Sequence, residues 1–172
     1  KNLKEYNKYK QKFYNDLDEK IKISKILEKE FDFEITKKMT FMNAHGDYSV
    51  QQLIYNDKEG TTVIDFETAK KLPIIWEVMR SYSYIDKEAV NGILNIDTLI
   101  EYVKEFSKYV TLNKYDLMYA PHIYLMQIVS SVFGYKQYNE NYEKVGLLEF
   151  AFFRTNLCKF LYEHLNEISE RL

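Results

Sequence analysis

Apolar residues recur through residues 2–30 at Leu3, Tyr6, Tyr9, Phe13, Leu17, Ile21 and Leu27, close to a helical period, with charges between them. This predicts an N-terminal helix, with Asp16 and Asp18 as the positions where it is expected to divide in two. Residues 31–44 carry no clear period. The pattern then shortens: Leu53-Ile54-Tyr55 and Thr61-Thr62-Val63-Ile64 are β-branched or aromatic runs, and Asn56-Asp57-Lys58-Glu59-Gly60 between them reads as a hairpin turn. From residue 73 the helical pattern returns. Pro73 is expected in the first turn of a helix reaching about Tyr84, where its missing N–H does little harm. Ile96–Val110 is amphipathic, with Asn95 or Asp97 as its cap. Tyr115–Phe133 is apolar nearly all round and is expected to be the central buried helix. Residues 140–170 read as one long last helix. The fold class predicted is mainly α with a small β-hairpin.

Composition narrows the function without naming it. At 172 residues the chain fits a single domain, 1–172, with room for a core. A net charge of −2, with lysines and glutamates mixed along helices, gives no clustered basic face for nucleic acid. Cys158 is the one cysteine and sits on an apolar helical stretch, so a buried structural thiol is expected. His122 and His164 lack ligand-spaced partners for zinc. The first residues do not read as a secretory signal, and no run of eighteen apolar residues is present. The expected location is the cytoplasm, with no membrane partner.

The chemistry concentrates in residues 45–67. His45-Gly46-Asp47 is followed, eighteen residues after the aspartate, by Ile64-Asp65-Phe66-Glu67. Two aspartates on either side of a pair of short strands have the layout of a phosphoryl-transfer loop followed by a metal-binding carboxylate. An acid at the end of an apolar strand is expensive to bury, which favours a metal role for Asp65. The block resembles the aminoglycoside phosphotransferase and choline kinase family, a branch of the protein-kinase-like fold, most tightly over residues 41–82. That family carries H-G-D-x-x-x-x-N and then a hydrophobic-D-F/x-E/D block. The Asn position is Gln52 here.

The resemblance implies a C-terminal, catalytic and substrate-binding lobe that moves the ATP γ-phosphoryl group to a hydroxyl of a small molecule. Asp47 is then the group that takes or orients the acceptor proton, and Asp65 the Mg²⁺ ligand. Gln52 either offers its amide oxygen to a second metal or hydrogen-bonds the loop. Gln51 is expected to point to the opposite face by strand alternation. His45 braces the loop, and Glu67 is either a partner of Asp65 and its metal or a plain surface acid. The five glycines form no phosphate-covering motif, and the residues before His45 read as helix. The chain also opens on Lys1. It is therefore expected to be a fragment, inactive alone, of a protein of roughly 300 residues, with ATP held partly by a missing nucleotide-covering lobe. Trp76, Glu77, Arg80, Tyr82 and Tyr84 follow the block and are the expected substrate-lobe residues. In related enzymes an acid here ties the helix to the catalytic loop. Glu77 and Arg80, one turn apart, are placed either to pair or to bracket a substrate. The many tyrosines fit a core, or a pocket for a cationic or sugar-like acceptor. The two aspartates are expected to converge on one cleft. A catalytically retired binding or structural module of the same architecture is the alternative.

Overall fold

The computed structural model describes residues 2–172; the side chains of Leu3 and Tyr6 lie outside the described residues. Helix α1 (Asn2–Glu30) is continuous and does not divide at Asp16. Its buried stripe is Phe13, Asp16, Lys20, Ile23 and Leu27, in steps of three and four. Ile21, expected on that stripe, is exposed. The true stripe runs through two charged residues because both find tertiary partners. Asp16 is met by Lys12 Nζ at 2.8 Å, Lys159 Nζ at 3.7 Å and the Tyr135 hydroxyl at 3.2 Å. Lys20 Nζ donates to the Ser131 carbonyl at 2.5 Å. An aspartate satisfied this way has no reason to break its helix by turning to its own backbone.

A short 3-10 turn (Phe33–Lys38), N-capped by Asp32, leads into β1 (Phe41–Ala44). The hairpin appears as β2 (Leu53–Asn56) and β3 (Gly60–Val63), paired antiparallel with Leu53 opposite Val63. A second two-stranded sheet was not expected: β1 pairs antiparallel with β4 (Lys70–Pro73), Phe41 opposite Pro73 and Ala44 opposite Lys70. Each strand is four residues long, with three exposed positions in β1 and two in β4, too short for the alternation that marks a strand. Pro73 closes β4 and caps α2 (Ile74–Ile85), one position earlier than expected. Buried Asp116 anchors the approach to β1, accepting from the Thr40 N–H at 2.8 Å and its hydroxyl at 2.6 Å.

The rest is helical: α3 (Ile96–Phe106), capped by Asn95; α4 (Lys114–Met118); α5 (Ala120–Ser130); α6 (Tyr135–Glu140); α7 (Val145–Glu163); and α8 (Leu165–Arg171). The expected helix over 115–133 breaks at Tyr119, just before Pro121 in the first turn of α5. The expected helix over 140–170 starts only at Val145 and breaks at His164. As expected, α5 is central: it packs on α1, α2, α4, α7 and α8. Its Leu125 and Ile128 are fully buried in the main core, which α1, α2, α3, α7 and α8 complete. A smaller cluster of Phe13, Tyr135, Tyr138, Leu148, Ala151 and Phe152 joins α1, α6 and α7. Among the described residues no helix is long and apolar enough to cross a membrane.

Cys158 is buried as expected. Burial pushes its thiol from the ordinary value of 9 up to about 12, only partly opposed by the nearby Lys20 and Arg154 charges. Between these values the unfolded chain ionises and the folded chain does not. The stability is therefore fully present below pH 9 and is lost as the pH climbs toward and through 12. Burial of Tyr82, likewise raised from 10 to about 12, adds a second loss above pH 10. Denaturant midpoints should fall across this window. Cys158→Ala should flatten the fall between pH 9 and 10 and make it shallower from there to about 12, leaving the tyrosine part.

Candidate functional site

The pairing of β1 with β4 makes residues 45–69 an excursion that leaves and returns at one point. Within it the β2–β3 ladder closes a second time, extended by the Ile64 N–H donating to the Gln52 carbonyl at 3.0 Å. Two short connectors remain between the ladders. One holds His45-Gly46-Asp47 and the other Ile64-Asp65-Phe66-Glu67, and they touch through His45, which meets Ile64 and Thr68.

Side chains stitch the connectors together. His45 Nε2 donates to the Ile64 carbonyl at 2.7 Å, while its Nδ1 accepts from the Asp47 N–H at 3.3 Å. With these roles the ring hydrogen used in bonding lies on Nε2. The Thr68 hydroxyl donates to the His45 carbonyl at 3.0 Å. Gly46 has φ +85°, and a Cβ there would lie 2.4 Å from the Thr68 carbonyl oxygen. Glycine is required twice over, by handedness and by the close approach.

Helix α2 grips the first connector with two side chains. Buried Glu77 accepts from the His45 N–H at 2.7 Å and the Gly46 N–H at 2.6 Å. It ties the helix to the loop and does not pair with Arg80. Arg80 instead donates through Nη1 to the Tyr48 carbonyl at 3.1 Å and forms an ion pair through Nη2 with Asp47 Oδ1. The Arg80 side chain is 15% exposed and that of Asp47 44%. Among the described residues no hydrogen-bond donor reaches Asp47 Oδ2.

Asp47 opens on a cleft of about 930 Å³. Its walls come from the first connector, from Trp76, Arg80 and Tyr84 on α2, from Ile123 and Gln127 on α5, and from Phe133, Phe150 and Arg154. Gln52 lines it, nearly buried, with its amide oxygen accepting from the Ser49 hydroxyl. Gln51 lines it too. Residues 50–52 form a 3-10 turn capped by Ser49, so strand alternation does not apply to them.

Asp65 is placed differently from the expectation. It does not line the cleft and is exposed, so no burial penalty argues for a metal. What marks it is backbone strain. Its φ of 66° and ψ of 56° make it the one non-glycine residue with positive φ among the described residues. The Asp65 carboxylate has no hydrogen bond or ion pair among the described residues. The same holds for exposed Glu67. Tyr82 belongs to the core, its hydroxyl donating to the Asn95 carbonyl at 2.9 Å, and does not reach the cleft. Phe133, Phe150, Gln127 and Arg154 were not anticipated. The available signal was Arg154, the sole arginine in the largely apolar stretch between Leu147 and Phe160.

Comparison with protein-family models, curated proteins and solved structures returns no match.

The stitching gives a direct test. Gly46→Ala should destabilise the protein by about 1–3 kcal/mol through its strained backbone. Glu77→Gln should speed hydrogen exchange at the His45 and Gly46 amides and lower stability by a similar amount, about 1–3 kcal/mol for the disturbed buried acceptor. Amide exchange read by NMR, together with thermal melts, checks both.

Proposed function

We propose that this chain is the catalytic and substrate-binding lobe of a protein-kinase-like phosphotransferase, moving the γ-phosphoryl group of ATP to a hydroxyl of a small molecule. One observation carries the reading: Asp47 is presented to a cleft by a connector that Glu77 ties to α2 and that His45 and Thr68 join to the Asp65 connector. Catalysis of this type consists of positioning and charge neutralisation, and a rigid loop offering one free carboxylate oxygen supplies the first.

In this mechanism Arg80 holds Oδ1, and Oδ2 accepts the proton of the acceptor hydroxyl. The hydroxyl oxygen bonds to the γ-phosphorus as the bond from that phosphorus to the bridging oxygen breaks. The proton ends on Asp47. Oxygen-only ligands suit Mg²⁺, which keeps waters and phosphate oxygens in its shell. Asp65 and Gln52 are the groups that the resemblance would give it, but Gln52 lines the cleft and Asp65 does not, so among the described residues they form no common ligand set. When bound, the ion neutralises the phosphate charge. Contacts to the adenine and the outer phosphates come, in this reading, from outside residues 2–172, in a cytoplasmic protein.

Two observations favour the alternative of a catalytically retired binding module: the Asp47–Arg80 ion pair and the Ser49 hydroxyl on Gln52. Mutants of the full protein, assayed with a matched acceptor, separate the two. Asp47→Asn should cut turnover by about two to four orders of magnitude with little change in ATP affinity. Asp65→Asn should weaken Mg-ATP binding as well. Gln52→Asn should keep or raise activity. Wild-type turnover by Asp47→Asn would defeat the transfer reading.

A further inference from the structure

The cleft has a charge imbalance. Asp47 is the only carboxylate among its lining residues, against Lys70, Arg80 and Arg154. Arg80 is spoken for by Asp47. Arg154, on α7, is not. It is 8% exposed, its Nη1 donates to the Ser131 hydroxyl at 2.9 Å, and its Nε is buried without a hydrogen-bond partner. Among the described residues no carboxylate lies within ion-pair distance of it. Asp16, the buried acid on α1, is engaged by Lys12 and Lys159. A guanidinium has five donors, and burying one without a counter-ion is costly.

The surroundings deepen the imbalance. Lys20, a second buried cation, sits on the carbonyl of the same Ser131 whose hydroxyl receives Arg154. The aromatic walls do not favour a cation. The Arg80 guanidinium lies 4.8 Å from the Tyr84 ring centroid and that of Arg154 lies 5.8 Å from Phe150. Those two rings are stacked on each other, 6.1 Å apart at 19°. Of the four aromatic residues in the lining, Trp76, Tyr84, Phe133 and Phe150, two already serve the protein's own arginines.

We infer that the hydroxyl acceptor carries a carboxylate or phosphate group, bound by Arg154 within the aromatic-walled cleft. This rests on the phosphoryl-transfer reading for the word acceptor, while the anion site itself does not. The site excludes choline-like and polycationic acceptors by charge. Binding needs no nucleotide.

The test is calorimetric titration, without nucleotide, of a panel of ω-hydroxy acids and the diols of the same chain lengths. At least one acid should bind about tenfold or more tightly than its diol, as a charge-assisted guanidinium contact implies. Arg154→Gln should erase that preference without changing diol or Mg-ATP affinity, and Arg154→Lys should keep part of it. Equal binding of every acid and diol by the wild type overturns the inference, whether or not the variants fold. So does a preference that survives in folded Arg154→Gln, or a loss confined to Mg-ATP, which would assign the arginine to the nucleotide. Phosphorylation assays separate the two claims. Preferential acid binding without transfer to any acceptor leaves the anion site and removes the kinase reading. Equal transfer to acids and diols does the reverse.

Discussion

The carboxylate of Glu77 is the group on which the arrangement of the site depends. It accepts two consecutive backbone N–H groups, those of His45 and Gly46, in a buried position. Both donors lie in an irregular connector with no strand or helix to satisfy them, and an orphaned buried N–H is costly. Because Glu77 sits on α2 and α2 follows β4 without a linker, the connector is fixed covalently and by hydrogen bonds to the same body. Arg80, one turn on, aligns the Asp47 carboxylate by the same logic. Every other contact in the site refines a position that this pair of hydrogen bonds sets.

The cleft is organised by charge as much as by shape. Tyr84 and Phe150 stack, and each offers a face to an arginine. The arginines are therefore held in place by apolar surface, which leaves part of their donor capacity unspent. One meets the protein's only carboxylate in the cleft. The other meets a neutral serine hydroxyl.

Local signals in the sequence were reliable where structure is decided locally. The hairpin, the Asn95 cap and the extent of α2 follow from turn chemistry, capping and period. The failures share a cause, which is that distant partners outweigh local preference. Asp16 breaks nothing because Lys12, Lys159 and Tyr135 answer it. The β1–β4 pairing joins segments that carry no alternation of their own. Gln51 faces the cleft because a 3-10 turn replaced the strand. Arg154 lies some ninety residues beyond the motif it joins, and only the packing of α7 on α5 brings it there.

The two ladders are nested, the β2–β3 hairpin lying inside the loop that β1 and β4 close. This nesting makes the cost of closing the outer pair depend on the inner one. Closing the outer pair over a flexible chain means confining the whole excursion at once. Once the inner hairpin has formed, its own residues drop out of the search and the remaining flexible length is about half. Each halving lowers the closure entropy by about 0.6 kcal/mol. The hairpin, exposed and remote from the core, thus acts as a splint. It shortens the path along which the two aspartate connectors find each other, and a chain with a slack turn at Asn56–Gly60 would reach the same native state more slowly.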